Sequence, residues 1–127
     1  MGRAEETETH IREALRLSPT DVTAYLFHMF AGLAELHLGK DEEAVARLSR
    51  SIEASRSSPM PHFFLAAALA HRGQLPQARA EVEAGLAINP TLTISRMRAA
   101  QSIDNPPAAA GEERVIAGLR MAGLPEG

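Results

Sequence analysis

The chain has no cysteine and no tryptophan, and its aromatic content is only 4%. Without cysteine, disulfide bonds, thiolate metal sites and cysteine nucleophiles are excluded. Lysine occurs once, at Lys40, while the other basic residues are arginine, a bias typical of a GC-rich bacterial genome. The formal net charge is −3. This charge offers no basis for nucleic-acid binding, which requires a clustered basic surface.

Long apolar runs are also missing. None approaches the roughly 20 residues that a membrane-spanning helix needs. The first ten residues, MGRAEETETH, are polar and acidic, and they lack the apolar region of a signal peptide. These two absences predict a cytoplasmic protein with no membrane partner. The length of 127 residues with 45% apolar content predicts one domain with a sizeable core.

The sequence contains no recognisable catalytic or cofactor-binding motif. It has no GxSxG element for a nucleophilic serine and no glycine-rich phosphate loop, since Gly39 and Gly73 stand alone. The carboxylate pairs at 42–43 and 112–113 are interpreted as solvated residues in the first turn of a helix. We therefore predict that the chain is not an enzyme and binds no cofactor.

A repeat of 34 residues is the strongest positive signal. Residues of matching size recur at this spacing in four pairs: Gly39 and Gly73, Ala44 and Ala78, Leu48 and Val82, Ile52 and Leu86. A fixed period of this length is typical of stacked helical hairpins.

Apolar residues at helical spacing, together with the glycine and proline residues at which helices end, define the predicted units. All of them lie within one domain of residues 1–127. They are a half unit at 5–19, full units at 20–58 and 59–90, a partial unit at 91–103 and a capping helix at 108–122. Asp41 is predicted to cap the second helix of the first full unit, and residues 123–127 are predicted to fray. The chain would start halfway through a hairpin, which predicts that it is a fragment of a longer polypeptide.

The pattern resembles the tetratricopeptide repeat over residues 7–103. Counted from Tyr25, the matching positions are Gly32, Leu38, Gly39, Ala44, Leu48, Ser51 and Ile52. Counted from Pro59, they are Leu65, Ala66, Leu69, Gly73, Ala78, Val82, Gly85, Leu86 and Pro90. The resemblance implies an all-α, right-handed superhelix of antiparallel helix pairs, with about three units and a C-terminal capping helix.

The chain departs from that family at some positions. His28 and His62 stand where the family has tryptophan, and Arg56 replaces a proline. Three extra residues also follow Pro19, which predicts a lengthened helix around Val22.

The same resemblance implies a binding groove lined by the first helix of each unit. The implied groove residues are Leu26, Met29, Leu33, Leu36, His37, Met60, Phe63, Ala67, Ala70 and His71. Ile94, Met97 and Arg98 extend this row. The implied function is a protein–protein interaction scaffold that binds a peptide or partner through an apolar concave groove. Two other occupants of the groove remain open, namely the final helix of the chain and a second copy of the chain.

A narrower resemblance concerns the C-terminal part. LAAALA, the segment 93–98, the Asp104-Asn105-Pro106 break and the ending GLRMAGLPEG are similar to the repeat regions of bacterial, rhizobial-type class III adenylate cyclases. This implies an alternative function, a regulatory or oligomerisation module of a cyclase whose catalytic domain lies outside this chain.

The histidines invite a metal hypothesis because His28 and His62, and likewise His37 and His71, are 34 residues apart. Equivalent positions on stacked units lie on the order of 10 Å apart, whereas ligands of one zinc ion must each come within about 2 Å of it. We therefore predict structural or surface histidines and no metal site.

Overall fold

The computed structural model describes residues 21–99 and 106–127, and within these ranges the chain is all-α, with no strand. The helices are α1 (Asp21–His37), α2 (Asp41–Ala54), α3 (Pro59–His71), α4 (Leu75–Ile88), α5 (Ile94–Ala99) and α6 (Pro106–Met121). The all-α prediction is confirmed for this part of the chain. The predicted half unit at 5–19 and most of the break at 104–106 lie outside the described residues.

Two consecutive hairpins, α1–α2 and α3–α4, carry the repeat. Both turn at a glycine in the left-handed region, Gly39 with φ 80° and Gly73 with φ 79°. In each turn, the amide after the glycine bonds a carbonyl of the preceding helix, Lys40 to Glu35 at 2.8 Å and Gln74 to Leu69 at 2.9 Å. This is the bonding of a glycine-terminated helix, and it explains why glycine recurs after 34 residues.

The two hairpins are also packed alike. Ala44 and Ala78 are both fully buried, and Leu48 and Val82, 34 residues apart, are buried at 0% and 4% exposure. Helix α2 packs against α3 and joins the hairpins. The repeated residues therefore occupy equivalent positions in one continuous core.

Three local predictions are corrected. Lys40, not Asp41, is the N-cap of α2. The pair at 112–113 lies inside α6 and not in its first turn. Residues 123–127 do not all fray, because Leu124 is 3% exposed and the amides of Ile94 and Ser95 donate to the carbonyls of Pro125 and Glu126, each at 2.8 Å.

Helix α6 closes the fold by packing against α1 and α3, and α5 packs against α6. Three side chains of α6, namely Val115, Ile116 and Leu119, are buried. They belong to the same core cluster as buried side chains of α2, α3 and α4. The final helix is therefore part of the core.

Within residues 21–99 and 106–127, no helix is both long enough and apolar enough to cross a membrane.

Candidate functional site

The faces of α1 and α3 that receive α6, together with Asp41 at the start of α2, form the candidate site, which we call the groove face. Gly118 of α6 lies on Ala67 of α3, and Gly111 lies on the ring of His37 at the end of α1. His71, one turn after Ala67, bonds the backbone of Arg114. The order of these contacts shows that α6 runs antiparallel to α3.

Two glycines allow α6 to approach this closely. A Cβ on Gly118 would lie 2.7 Å from the carbonyl oxygen of Ala67 and 2.8 Å from its Cα, and a Cβ on Gly111 would lie 2.7 Å from Cγ of His37. Real Cβ atoms essentially never come this close to another heavy atom. Residues seven apart fall on one face of a helix, so both glycines present bare backbone to the groove face.

Arg114, between the two glycines, ties α6 to the first hairpin. Its Nη1 and Nη2 donate to the two carboxylate oxygens of Asp41 at 2.6 and 2.9 Å, and Nη1 also donates to the Leu36 carbonyl at 3.2 Å. The Arg114 side chain is 29% exposed and the Asp41 side chain is 16% exposed. Hydrogen bonding to Asp41 raises the pKa of Arg114. This is the two-point geometry that favours arginine over lysine.

A histidine supports the same region of α6. Nε2 of His71 lies 2.6 Å from the carbonyl oxygen of Arg114. Because a carbonyl can only accept, Nε2 carries the hydrogen. The backbone and the side chain of Arg114 are thus both held by the groove face.

The Arg114 anchor leads to a first prediction. Arg114→Ala removes charge-assisted hydrogen bonds that are partly buried, and it should lower the free energy of unfolding by about 2 kcal/mol. Urea denaturation followed by circular dichroism measures this change. The matched control is Arg120→Ala on the same helix, because Arg120 pairs with Glu126 at the surface, where such pairs contribute little. Equal losses in both variants would contradict the role of Arg114 as an anchor.

The remaining described histidines have separate environments. Nδ1 of His62 lies 2.8 Å from Oε1 of Glu81, and the ring of His28 meets that of Phe27 edge-on with centroids 4.9 Å apart. Burial, and then the nearby Arg47 and Arg50, lower the pKa of His28. Among the described residues, no three histidine or carboxylate side chains come together as metal ligands.

We expect His37 to make the stability of the fold depend on pH. Burial lowers its pKa below the ordinary value of 6.5, so protonation favours the unfolded chain. Its contribution to stability is present above pH 6.5 and is lost as the pH falls through the lower folded value. We expect His37→Gln to flatten this loss, measured as urea midpoints on both sides of pH 6.5. Residual slope from His28 should remain, and an unchanged slope would contradict the prediction.

A cleft of about 160 Å³ opens beside α6. It is lined by Leu33, His37, Met60, Phe64, Met97, Glu112 and Val115. A cavity of about 150 Å³ with apolar walls holds one benzene molecule, so this cleft has the size of a single large apolar side chain. In its walls, Nε2 of His37 and Oε1 of Glu112 are buried with no hydrogen-bond partner in the described part of the chain.

The structure divides the ten implied groove residues into three groups. The first group contacts α6 or lines the cleft: Leu33, His37, Met60, Ala67 and His71. The second group is buried in the fold: Met29, Leu36, Phe63 and Ala70. Leu26 is 37% exposed. Three further residues were predicted to extend the row of groove residues. Met97 lines the cleft, Ile94 is buried, and Arg98 pairs with Glu113 at the surface.

Phe63, which was predicted to line the groove, lies in the core between α3 and α4. Its side chain is fully buried, and its ring lies against Gly85 of α4, where a Cβ would come within 2.7 Å of it. The next residue, Phe64, lines the cleft instead. Phe63 therefore holds α3 to α4 and is not accessible to a partner.

The sequence did not predict Asp41, Arg114 or Glu112 as residues of the site. One usable signal was present, because Gly111, Arg114 and Gly118 stand at positions i, i+3 and i+7 of the last helix and so share one face. No sequence signal paired Arg114 with Asp41.

The chain was also compared with protein-family models, with curated proteins and with solved structures. None of these comparisons found a match.

Proposed function

We propose that this chain is a protein–protein interaction module, a right-handed superhelix of the tetratricopeptide-repeat type that binds a helix or peptide on its groove face. The observation that carries the proposal is the way in which the groove face holds α6. The groove face packs Ala67 against Gly118 of α6. It also supplies the Asp41 carboxylate to the Arg114 side chain and the His71 ring to the Arg114 carbonyl. A surface that meets a helix with both shape and directed polar groups is suited to binding a helix. The module would act in the bacterial cytoplasm, by binding and without chemistry of its own.

A row of apolar side chains beyond α6 supports the proposal. Leu26 and Phe30 are 37% and 43% exposed, and they share one face of α1 with Leu33 and His37, which line the cleft. Single exposed apolar residues are ordinary, but a row that leads into a cleft provides a contiguous contact surface. A partner could place side chains along this row and one in the cleft.

Site-specific photo-crosslinking tests the proposal. A benzoyl-phenylalanine at Phe30, or at Leu33, should give covalent adducts with a defined protein in the source cell. The control carries the same group at Glu83, which is exposed on α4. Adducts at the α1 positions that disappear in a Leu26→Glu background would support the groove face as a binding surface. Identical adducts from Glu83, or none at either α1 position, would count against it.

The exposed Leu26 and Phe30 also favour a second candidate function. We propose as the alternative that α1 forms a self-contact, and that the chain is an oligomerisation or regulatory module of a class III adenylate cyclase whose catalytic domain lies outside it. In that case the chain should be a dimer by light scattering at micromolar concentration. Phe30→Glu should make it a monomer with unchanged circular dichroism. A monomeric wild-type chain would contradict the self-contact.

A further inference from the structure

We infer that the groove face accepts, in place of α6, a partner helix with two small residues seven positions apart, an arginine three positions after the first, and apolar residues beside them. The inference rests on the proposed function and names the partner's chemistry. In α6, the signature is Gly111, Arg114 and Gly118, with Val115, Ile116 and Leu119 as the apolar residues.

The requirement for small residues follows from contacts with rigid groups. At Gly118 the opposing atoms are backbone atoms of Ala67, at 2.7 and 2.8 Å from a Cβ position, and a backbone inside a helix cannot move aside as a flexible side chain can. At Gly111 the opposing group is the His37 ring at 2.7 Å. A helix with larger residues at these two positions would be held away from the groove face.

The requirement for arginine follows from the acceptors. The two carboxylate oxygens of Asp41 and the carbonyl oxygen of Leu36 lie within 2.6 to 3.2 Å of the guanidinium nitrogens. A planar fork meets all three, whereas the single ammonium group of lysine cannot reproduce this geometry. Asp41 is 16% exposed, so a helix without an arginine would leave a largely buried carboxylate unpaired, which is costly.

The apolar part of the signature follows from burial. Val115 is 4% exposed, and Ile116 and Leu119 are fully buried. A helix that replaces α6 must cover the same core. Neither the small residues nor the arginine would be sufficient without these side chains.

The tail of the chain sets the competition between α6 and a partner. Pro125 and Glu126 accept hydrogen bonds from the start of α5, and the hydroxyl of Ser95 also donates to Glu126. These bonds keep α6 close to the groove face and give it a high effective concentration. A partner helix should therefore bind the wild-type chain weakly, and bind much better when the chain's own α6 cannot seat.

The test uses full-length chains and a fluorescent peptide with the sequence of residues 106–122, measured by fluorescence anisotropy. The peptide should bind the Gly118→Val chain at least about tenfold more tightly than the wild-type chain, because that chain's own α6 is blocked. Against the Gly118→Val chain, a peptide with Arg114→Ala should bind about tenfold more weakly. A peptide with Gly118→Val should not bind, and a peptide with Ala117→Val should bind like the native one, because Ala117 is on the exposed face.

Circular dichroism checks that the Gly118→Val chain remains helical, and an Arg114→Ala chain is the milder second receptor. Equal binding of all four peptides, or no binding to either folded receptor, would overturn the inference. A complex of the Gly118→Val chain with a wild-type chain would identify a second copy as an occupant, and would support the signature because that copy carries it. If crosslinking identifies a partner while the peptides show no dependence on the signature, the inference fails and the proposed function stands.

Discussion

Gly118→Val is expected to lower the free energy of unfolding by about 3 kcal/mol, at the upper end of the usual cost of overpacking. The new Cβ would lie 2.7 Å from the carbonyl oxygen of Ala67 and 3.0 Å from its Cβ, and valine adds two further methyl groups. The gain in helix propensity over glycine is a few tenths of a kcal/mol, which is too small to offset the clash. Helix α6 would have to move away from α3 and expose Ile116 and Leu119.

The control for this prediction is Ala117→Val, one residue earlier. Ala117 is exposed, so the same β-branched side chain enters solvent and should change stability by less than about 0.5 kcal/mol. Because the chain has no tryptophan, urea denaturation is best followed by far-ultraviolet circular dichroism. Equal stability of the two variants would show that the approach of α6 to Ala67 does not matter for the fold.

Phe63→Ala is expected to have the largest effect, a loss of about 4 kcal/mol. The ring is fully buried and fills the space left by Gly85 on α4, so its removal leaves a cavity between α3 and α4. Domains of this size usually have a free energy of unfolding of roughly 5 to 15 kcal/mol. Phe63→Ala would therefore remove a large part of the stability. Thermal and urea denaturation of the purified variant measure the loss.

The adjacent phenylalanine provides the matched control for Phe63. Phe64 is partly exposed and lines the cleft, so Phe64→Ala should cost clearly less stability and should instead weaken partner adducts formed from Leu33. Both residues are phenylalanines in α3, so only the environments of their side chains differ. If Phe64→Ala destabilises as much as Phe63→Ala, the distinction between core and cleft is wrong.

Several features followed from the sequence because they depend on local chemistry. Gly39 and Gly73 mark helix ends, since few other residues adopt a positive φ at low cost. The 34-residue period pairs Leu48 with Val82, and both residues are buried. Helices α1 and α2 lie within the predicted unit 20–58, and α3 and α4 lie within the predicted unit 59–90, because the residues that begin and end a helix lie within the segment that they define.

Other features were decided only by the tertiary structure. The sequence places Phe63 and Phe64 side by side, and only the rotation of α3 against α4 determines which ring enters the core. The sequence left open whether the final helix, a second chain or a partner covers the groove face. In the structure α6 packs there through Arg114 and Asp41, which are 73 residues apart.

By itself, the sequence determined the helices, their turns and the repeat, because propensity, capping and periodicity act over a few neighbouring residues. The tertiary structure decided what α6 covers, which predicted groove residues are core, and how the C-terminal residues bond α5. These outcomes depend on contacts between distant segments such as Pro125 and Ile94. Such contacts form wherever the packing of the whole chain brings surfaces together, and no local pattern in a single sequence encodes them.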